Sequence, residues 1–194
     1  MQELTHPLHE IEWEVINFSM NKNIIRNFHI ISAIIEMIFG TLLHFTYELS
    51  GNNPLIALFS SVNESTWEHL KLLFFPMLLT SIVGYFKYFS HSNSFLCARA
   101  IGIVISLTFT VVFFYTYSGA LGYNIAFIDI LSFFISIVIG DFLSFILVKN
   151  NIPCQRKKAV AFFILLTICF FIFTFKPPHI GLFKDPVTSS YGAI

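Results

Sequence analysis

Long apolar segments alternate with short polar breaks along the chain. Five of these segments come close to, or exceed, the roughly 20 residues that an α-helix needs to cross a hydrocarbon core about 30 Å thick. They extend over residues 24–47, 68–88, 95–117, 125–148 and 159–175. The breaks between them are rich in Gly, Pro, Asn and Ser, which are typical of turns. The pattern therefore predicts an all-α fold, an integral membrane bundle of five transmembrane helices.

The same pattern divides the chain into three parts. Residues 1–23 are predicted to form a cytoplasmic N-terminal segment, in which apolar residues at helical spacing between Leu8 and Phe18 indicate a short amphipathic helix. Residues 24–176 form the predicted transmembrane domain. Residues 177–194 are predicted to form an extracytoplasmic tail that packs on the outer face of the bundle.

Composition strengthens the membrane assignment. The mean hydropathy is +0.76, only 11% of the residues are charged, and 25 are Phe. Acidic and basic side chains cancel to a net charge of zero, so the expected partner is the lipid bilayer and not a nucleic acid. Three isolated cysteines are interpreted as small apolar fillers and not as a disulfide scaffold or a thiolate zinc site: they are Cys97, Cys154 and Cys169.

Basic residues predict the orientation, because Lys and Arg accumulate on the cytoplasmic side of membrane proteins. In the five-span topology, one side carries Lys22, Arg26, Lys87, Arg99, Lys149, Arg156, Lys157 and Lys158. The other side keeps only Lys71, Lys176 and Lys184. The prediction is a multi-pass protein of the cell membrane, with a cytoplasmic N-terminus and an extracytoplasmic C-terminus.

One face of the first span is polar. At about 100° per residue, the residues that share this face are His29, Glu36, Gly40, His44 and Glu48. Glu36 lies near the middle of the membrane, where a carboxyl group is either protonated or paired with a buried partner. The functional interpretation is a proton or cation site, and the structural one is a neutral acid hydrogen-bonded to a neighbouring helix.

A dense polar motif at residues 63–71, Asn-Glu-Ser-Thr-Trp-Glu-His-Leu-Lys, precedes the second span. Ser65 and Glu68 fit the Ser-x-x-Glu capping box, in which the two side chains satisfy free backbone N–H groups at a helix start. Glu64 and His69 are left without a structural explanation. These two residues are therefore the part of the motif that indicates function.

Polar residues from distant parts of the chain are predicted to share the outer face with this motif. The group is His44, Glu48, Glu64, Glu68, His69, Asp129, His179 and Asp185. Imidazole and carboxylate groups are zinc ligands, and a further carboxylate can act as a general base. The predicted ligands of a divalent metal such as zinc are His44, Glu48, His69 and His179, and the predicted catalytic residues are Glu64, His69 and Asp129. The alternative is a polar cap in which each group only satisfies another.

The fourth span carries small residues at every fourth position, a pattern that lets helices approach closely. These residues are Ser132, Ser136, Gly140 and Ser144. Asp141, in the same span, is expected to reach the interface or to pair with a basic residue such as Lys149, without a chemical role.

Several stretches carry a family resemblance: residues 40–48 with 50–51, 62–76, 114–117, 177–179, and 185–188 with 191–192. The string at residues 63–71 is the most distinctive of them. On these stretches the chain resembles an uncharacterised bacterial family of small five-span membrane proteins. The resemblance covers residues 40–194 and implies the five-span topology, but it implies no activity, so no catalytic residue follows from it.

Three functions are consistent with these patterns. The first is a membrane-embedded hydrolase or transferase, whose outer His and carboxylate site acts on a lipid or cell-envelope substrate. The second is a small transporter, channel subunit or solute-binding component that uses Glu36 together with the outer polar cluster. The third is an accessory subunit that holds a partner protein. Because imidazoles and carboxylates concentrate at one face and do not line a complete path, we favour the enzyme.

Overall fold

The computed structural model describes residues 22–193, and within this range the protein is all-helical. Five helices are long and apolar enough to cross a membrane, so the predicted fold class is confirmed. The amphipathic helix predicted between Leu8 and Phe18 lies outside the described residues.

Six helices follow one another along the described chain. They are α1 (Lys22–Leu49), α2 (Pro54–Ala57), α3 (Thr66–Gly84), α4 (Phe95–Leu121), α5 (Ala126–Lys149) and α6 (Arg156–Phe175). A π-helical turn, Tyr85–Phe89, continues α3, and a 3-10 turn, Gly181–Phe183, follows α6. The five predicted spans correspond to α1 and α3 to α6, with ends that differ by a few residues.

Successive spans run in opposite directions, so the bundle has two chemically different ends. We call the end that contains His44, Glu64 and His69 the histidine end. The opposite end, where α1 begins near Lys22 and α6 begins at Arg156, is the basic end.

Four of the spans form a closed ring. α1 packs against α3 and α5, and α4 packs against the same two helices from the other side. α6 lies outside this ring, against α4 and α3. The ring therefore encloses a space at mid-membrane depth that polar side chains from four helices can share.

Small residues bring α4 and α5 together, as the repeat in the fourth span predicted. A Cβ added to Gly102 would lie 2.6 Å from the carbonyl oxygen of Gly140, and one added to Gly140 would lie 2.6 Å from that of Gly102. The Ser106 hydroxyl donates to the Ser136 carbonyl at 2.8 Å across the same contact. The two backbones touch, and no larger side chain fits between them.

A fully buried guanidinium occupies the centre of the ring. Arg99 on α4 contacts Glu36 on α1 (Nη2 to Oε1, 2.6 Å) and Asp141 on α5. On α3 it donates to the hydroxyls of Thr80 at 2.9 Å and Ser81 at 2.8 Å. We name the set Glu36, Arg99 and Asp141 the ion centre.

The ion centre bears on two expectations from the sequence. Arg99 was assigned to the basic, cytoplasmic surface, but its side chain is wholly enclosed by the helices. Asp141 was expected to reach the interface or to pair with a basic residue such as Lys149, and its basic partner is Arg99. Pairing inside the ring keeps both side chains away from the membrane interface, because a buried charge must be paired.

The chain turns sharply after α1. Gly51 and Asn52 adopt positive φ angles of 69° and 61°, the left-handed region that Gly and Asn tolerate best. The Asn53 side chain then accepts from the N–H of Leu55 at 2.9 Å and caps α2, in which Pro54 is the first residue. The turn directs the following loop back across the end of α1.

A buried ion pair holds that loop against α3 and α6. Lys71 pairs with Glu68 at 2.5 Å and also donates to the Ala57 carbonyl at 2.7 Å. A third bond from Lys71, of 3.0 Å, reaches the Thr174 hydroxyl on α6. Glu68 in turn accepts from the backbone N–H of Val62 at 3.1 Å. One ammonium group thus joins two helices to the loop.

Residues after α6 fold back over the histidine end. The side chain of Asn63 donates to the carbonyl of Gly192 at 3.1 Å, and the N–H of Ala193 donates to the carbonyl of Thr174 at 2.7 Å. The Phe183 ring packs on Trp67, with ring centroids 4.8 Å apart. The tail is therefore attached both to the start of α3 and to the end of α6.

The cysteines were interpreted as isolated fillers, and for two of them this is wrong. Cys97 near the start of α4 forms a disulfide with Cys154 in the segment before α6, with Cα atoms 6.1 Å apart. Their separation of 57 positions in the sequence concealed the pairing. Cys169 is free.

Replacing Gly140 with alanine should destabilise the bundle by about 1–3 kcal/mol, because the new methyl group would overlap the Ser106 hydroxyl and the Gly102 carbonyl. The matched control is Gly119→Ala on α4, where no atom lies within 4 Å of the added methyl group. The measurement is thermal unfolding of the detergent-solubilised protein. Equal unfolding temperatures for the two variants would contradict close packing of α4 on α5.

Candidate metal centre

Three side chains converge at the histidine end, one each from α1, the loop after α2, and α3. His44, Glu64 and His69 each present a ligand-type atom, and these atoms all lie within 4.8 Å of one another. Nε2 of His44 is 3.9 Å from Oε1 of Glu64, and Nε2 of His69 is 3.4 Å from Oε2. The two imidazole rings have centroids 5.3 Å apart. We call these three residues the triad site.

Local hydrogen bonds fix the loop that carries Glu64. The Ser65 hydroxyl accepts from the N–H of Glu68 at 3.4 Å and caps α3, which is one half of the predicted capping box. The other half is wrong, because Glu68 bonds Lys71 and the loop instead of the N–H of Ser65. That N–H donates to the Asn63 side chain at 2.9 Å. Glu64 is thereby held between two residues with fixed partners.

Hydrogen bonds on the other ring nitrogens orient both imidazoles. Nδ1 of His69 lies 3.0 Å from the Ser65 carbonyl, which can only accept, so this nitrogen carries the hydrogen. Nδ1 of His44 lies 3.2 Å from the Ser61 hydroxyl, and that hydroxyl can donate its own hydrogen to the His44 carbonyl at 3.4 Å. For the neutral His69 ring this places the hydrogen on Nδ1 and directs the Nε2 lone pair towards Glu64, and the Ser61 hydroxyl allows the same tautomer for His44.

Two nitrogen lone pairs directed at one carboxylate repel it unless a positive charge lies between them. Protons on both rings or one metal cation would supply that charge. Metal-binding histidines usually donate their second N–H to a carbonyl or another oxygen, which fixes the ring for ligation. The oxygens of Ser65 and Ser61 have that position here. The triad site can therefore accept either a metal cation or protons on its two rings.

The triad site opens into a polar cavity of about 200 Å³. His44 and Glu64 line this cavity together with Glu48, Ser61 and Asn63. The side chains of the triad site are between 30% and 50% exposed, so water and a small group of a substrate can reach the ligand atoms.

Two residues predicted for the site are held elsewhere. His179, a predicted metal ligand, stacks on the ring of Tyr191 with centroids 4.5 Å apart, because the tail folds upon itself. Asp129, a predicted catalytic residue, bonds the Tyr117 hydroxyl and the Asn124 side chain at the turn between α4 and α5. Among the described residues, neither belongs to the group that could hold a metal.

The carboxylate beside both imidazoles is that of Glu64 and not that of Glu48. Glu64, predicted as catalytic, is the carboxylate between the imidazoles, whereas Glu48, predicted as a ligand, lies in the adjoining cavity. Ser61 was not predicted at all, since a single serine in a loop has no distinctive sequence signal. Its position two residues before Asn63 is the only indication that it lies near the motif.

Asp185 in the tail accepts hydrogen bonds from the tail itself and from the loop that carries Glu64. Its carboxylate accepts from the N–H of Val187 at 2.7 Å and of Thr188 at 3.2 Å, and the N–H of Glu64 is also directed at it. Burial opposes its ionisation, but these hydrogen bonds outweigh that cost and hold the pKa of Asp185 below its usual value. The tail thus contacts the backbone of a residue of the triad site.

A comparison with protein-family models places the chain in a family. The model described as "Family of unknown function (DUF6512)" matches residues 17–193, so the chain belongs to this family. No curated protein and no solved structure matches the chain.

Replacing Asp185 with asparagine should loosen the tail, because backbone hydrogen bonds to a charged acceptor contribute about 1.5–3 kcal/mol. Hydrogen–deuterium exchange at neutral pH should become faster in residues 185–193 and in the loop around Glu64. Asp129→Asn is the control and should leave these segments unchanged. Because folding lowers the pKa of Asp185, its contribution is complete at neutral pH and is lost only as the pH falls below about 4. Unchanged exchange in the Asp185 variant would contradict this role.

Proposed function

We propose that this member of the DUF6512 family binds a divalent cation, such as zinc, at the triad site and uses it in hydrolysis or group transfer on a lipid or cell-envelope substrate. The observation that carries the proposal is the convergence of two Nε2 atoms on one carboxylate, while each Nδ1 is hydrogen-bonded to an oxygen of the protein.

The donor set favours a catalytic role over a structural one. Two histidines and one carboxylate are a set found in catalytic zinc sites, where the fourth position is left for water or substrate. Structural zinc sites are normally closed by four protein ligands, often with cysteine. Within the described residues the triad site offers three, and it adjoins an open polar cavity.

Glu48 is suited to act as the general base. It lines the cavity beside His44 and Glu64 and faces solvent. In the proposed hydrolysis, a water molecule adds to the electrophilic carbon or phosphorus of an ester and transfers one proton to Glu48. The bond to the leaving oxygen then breaks, and the proton passes from Glu48 to that oxygen. A bound divalent cation would polarise the ester and lower the pKa of the water.

A cation path through the bundle receives less support than an enzyme site. Between the triad site and the ion centre the bundle is closely packed at Gly40. A Cβ added to Gly40 would meet the ring of Phe133 and would lie 2.5 Å from the carbonyl oxygen of Leu72. Deeper in the ring, the guanidinium of Arg99 would repel a passing cation. Glu36, on which the transporter alternative depends, already pairs with Arg99. No contact within the described residues specifically favours the accessory-subunit alternative.

We also propose that the histidine end faces away from the cytoplasm in the cell membrane. Without the buried Arg99, the other basic residues assigned to the cytoplasmic side still lie at the basic end, which supports the predicted orientation. This end carries Cys97 and Cys154 as well. Disulfides are rare in a reducing cytoplasm, so the Cys97–Cys154 bond is an observation that opposes this orientation.

Purified protein loaded with zinc should retain about one metal ion per molecule, measured by mass spectrometry of the metal after removal of unbound ions. His44→Ala, Glu64→Ala and His69→Ala should each weaken retention more than about 100-fold, since changes of second-shell partners alone cost 10–100-fold. His179→Ala is the matched control and should retain the metal. Folded wild-type protein without affinity for any divalent cation would refute the proposal.

The catalytic part of the proposal is tested separately with vesicles made from radiolabelled lipids of the expression host. The zinc-loaded wild type should release a labelled product, whereas Glu48→Gln should bind zinc normally and release little or none. Zinc binding without turnover of these lipids would restrict the proposed substrates to other components of the cell envelope. Equal turnover by the Glu48 variant would remove Glu48 as the base.

Ser61→Ala provides a subtler test, since Ser61 touches His44 but is not one of the three ligands. Loss of its hydroxyl frees Nδ1 of His44, so we expect zinc affinity to fall about 10- to 100-fold with an unchanged thermal unfolding temperature of the metal-free protein. Ser50→Ala, in the nearby turn, is the control and should bind zinc like the wild type. Unaltered zinc affinity in the Ser61 variant would show that its hydroxyl does not orient His44.

A further inference from the structure

The ion centre is unbalanced in charge. Two carboxylates, Glu36 and Asp141, surround one guanidinium, Arg99, so that full ionisation leaves one negative charge in the middle of the bundle. The side chains of all three are at most 4% exposed. An uncompensated charge at this depth costs several kcal/mol, and buried charges are normally paired or neutralised.

The surrounding helices supply little to balance this charge. α3 contributes only neutral groups, the hydroxyls of Thr80 and Ser81 and the carbonyl of Met77, which bond Arg99. Towards the basic end, the next titratable group on α1 is His29, about two turns from Glu36.

His29 is an unsuitable carrier of the compensating charge. Its Nδ1 lies 2.8 Å from the carbonyl of Ile25, and its Nε2 lies 3.1 Å from the Ser144 hydroxyl. A neutral ring with its hydrogen on Nδ1 satisfies both contacts, because the Ser144 hydroxyl can donate to Nε2. The ring is also buried and lies on the same side of the bundle as the guanidinium of Arg99, which disfavours a second positive charge there.

Each carboxyl group of the ion centre has one oxygen with no protein partner. Oε2 of Glu36 and Oδ2 of Asp141 are buried and unbonded, whereas the other oxygen of each group contacts Arg99. Both carboxyl groups contact the same guanidinium, so they lie close to one another. Two carboxylates cannot hydrogen-bond, but a carboxylic acid and a carboxylate can.

We infer that the ion centre binds one proton, which Glu36 and Asp141 share in a hydrogen bond across the ring, while Arg99 balances the remaining negative charge. The proton makes the centre neutral and supplies a hydrogen where each carboxyl group has an unbonded oxygen. This site is distinct from the triad site, from which Gly40 and the ring of Phe133 separate it. Polar groups lie on its other side, where His29 and Ser144 extend towards the basic end, so this is the side from which a proton would enter.

Infrared spectroscopy of the full-length protein in detergent at neutral pH tests the inference. The wild type should show the carbonyl stretching band of one protonated carboxylic acid, shifted in heavy water. Asp141→Asn and Glu36→Gln should each abolish the band, because either substitution leaves one carboxylate opposite one guanidinium. Arg99→Gln should strengthen it, since two acids without a cation both need protons.

Glu68→Gln is the matched control. Glu68 is equally buried, but it pairs one to one with Lys71, so its removal should leave the band unchanged. Absence of the band from the wild type, or its persistence in either the Asp141 or the Glu36 variant, would overturn the inference. Both of those variants keep a charge-balanced ion centre, so the test does not depend on whether Arg99→Gln folds.

Discussion

The structure depends on the burial of one guanidinium in the hydrocarbon layer. Arg99 has no access to water, and every group that satisfies it comes from another helix: Glu36 from α1, hydroxyls of α3, and Asp141 from α5. A charge in hydrocarbon is costly unless it is fully paired, so a rearrangement that separates one of these helices exposes that cost. The pairing of Arg99 needs particular groups in particular directions. Contacts between apolar side chains do not, because lipid tails can take the place of an apolar neighbour. The pairing of Arg99 therefore specifies which four helices form the ring.

Much of the fold could be predicted from the chain because membrane geometry limits the possibilities. Length and apolar character located the five spans, and small residues at every fourth position of α5 indicated the face that packs on α4. The polar face of α1 was also correctly recognised as buried around Glu36. Its partner was missed, because Arg99 lies only four residues inside α4 and resembles the basic residues that flank a span. Distance along the chain conveys nothing about which buried acid meets which buried base.

The sequence indicated which residue types gather at one end of the bundle, but not which of those residues lie together. His44 and His69 were recognised from residue type and from their location at the same end of the bundle. Helical spacing from His44 favoured Glu48 as the ligand, whereas the hydrogen bonds of Asn63 and Ser65 hold Glu64 beside both rings. His179 and Asp129 contact residues that are near them in the sequence. Such local contacts produce no repeating pattern by which a sequence could reveal them. Ser61 became recognisable only through its contact with His44.

The position of the tail has a consequence for how the protein is made. The loop with Glu64 lies between the first two spans, yet it is held by Gly192 and Asp185, and Lys71 beside it bonds Thr174 on the last span. All of these partners leave the ribosome after the ring helices. The ring can assemble during synthesis, but the loop with Glu64 acquires its final contacts only after α6 has inserted and the tail has folded back. Completion of the site therefore depends on the segment that follows α6.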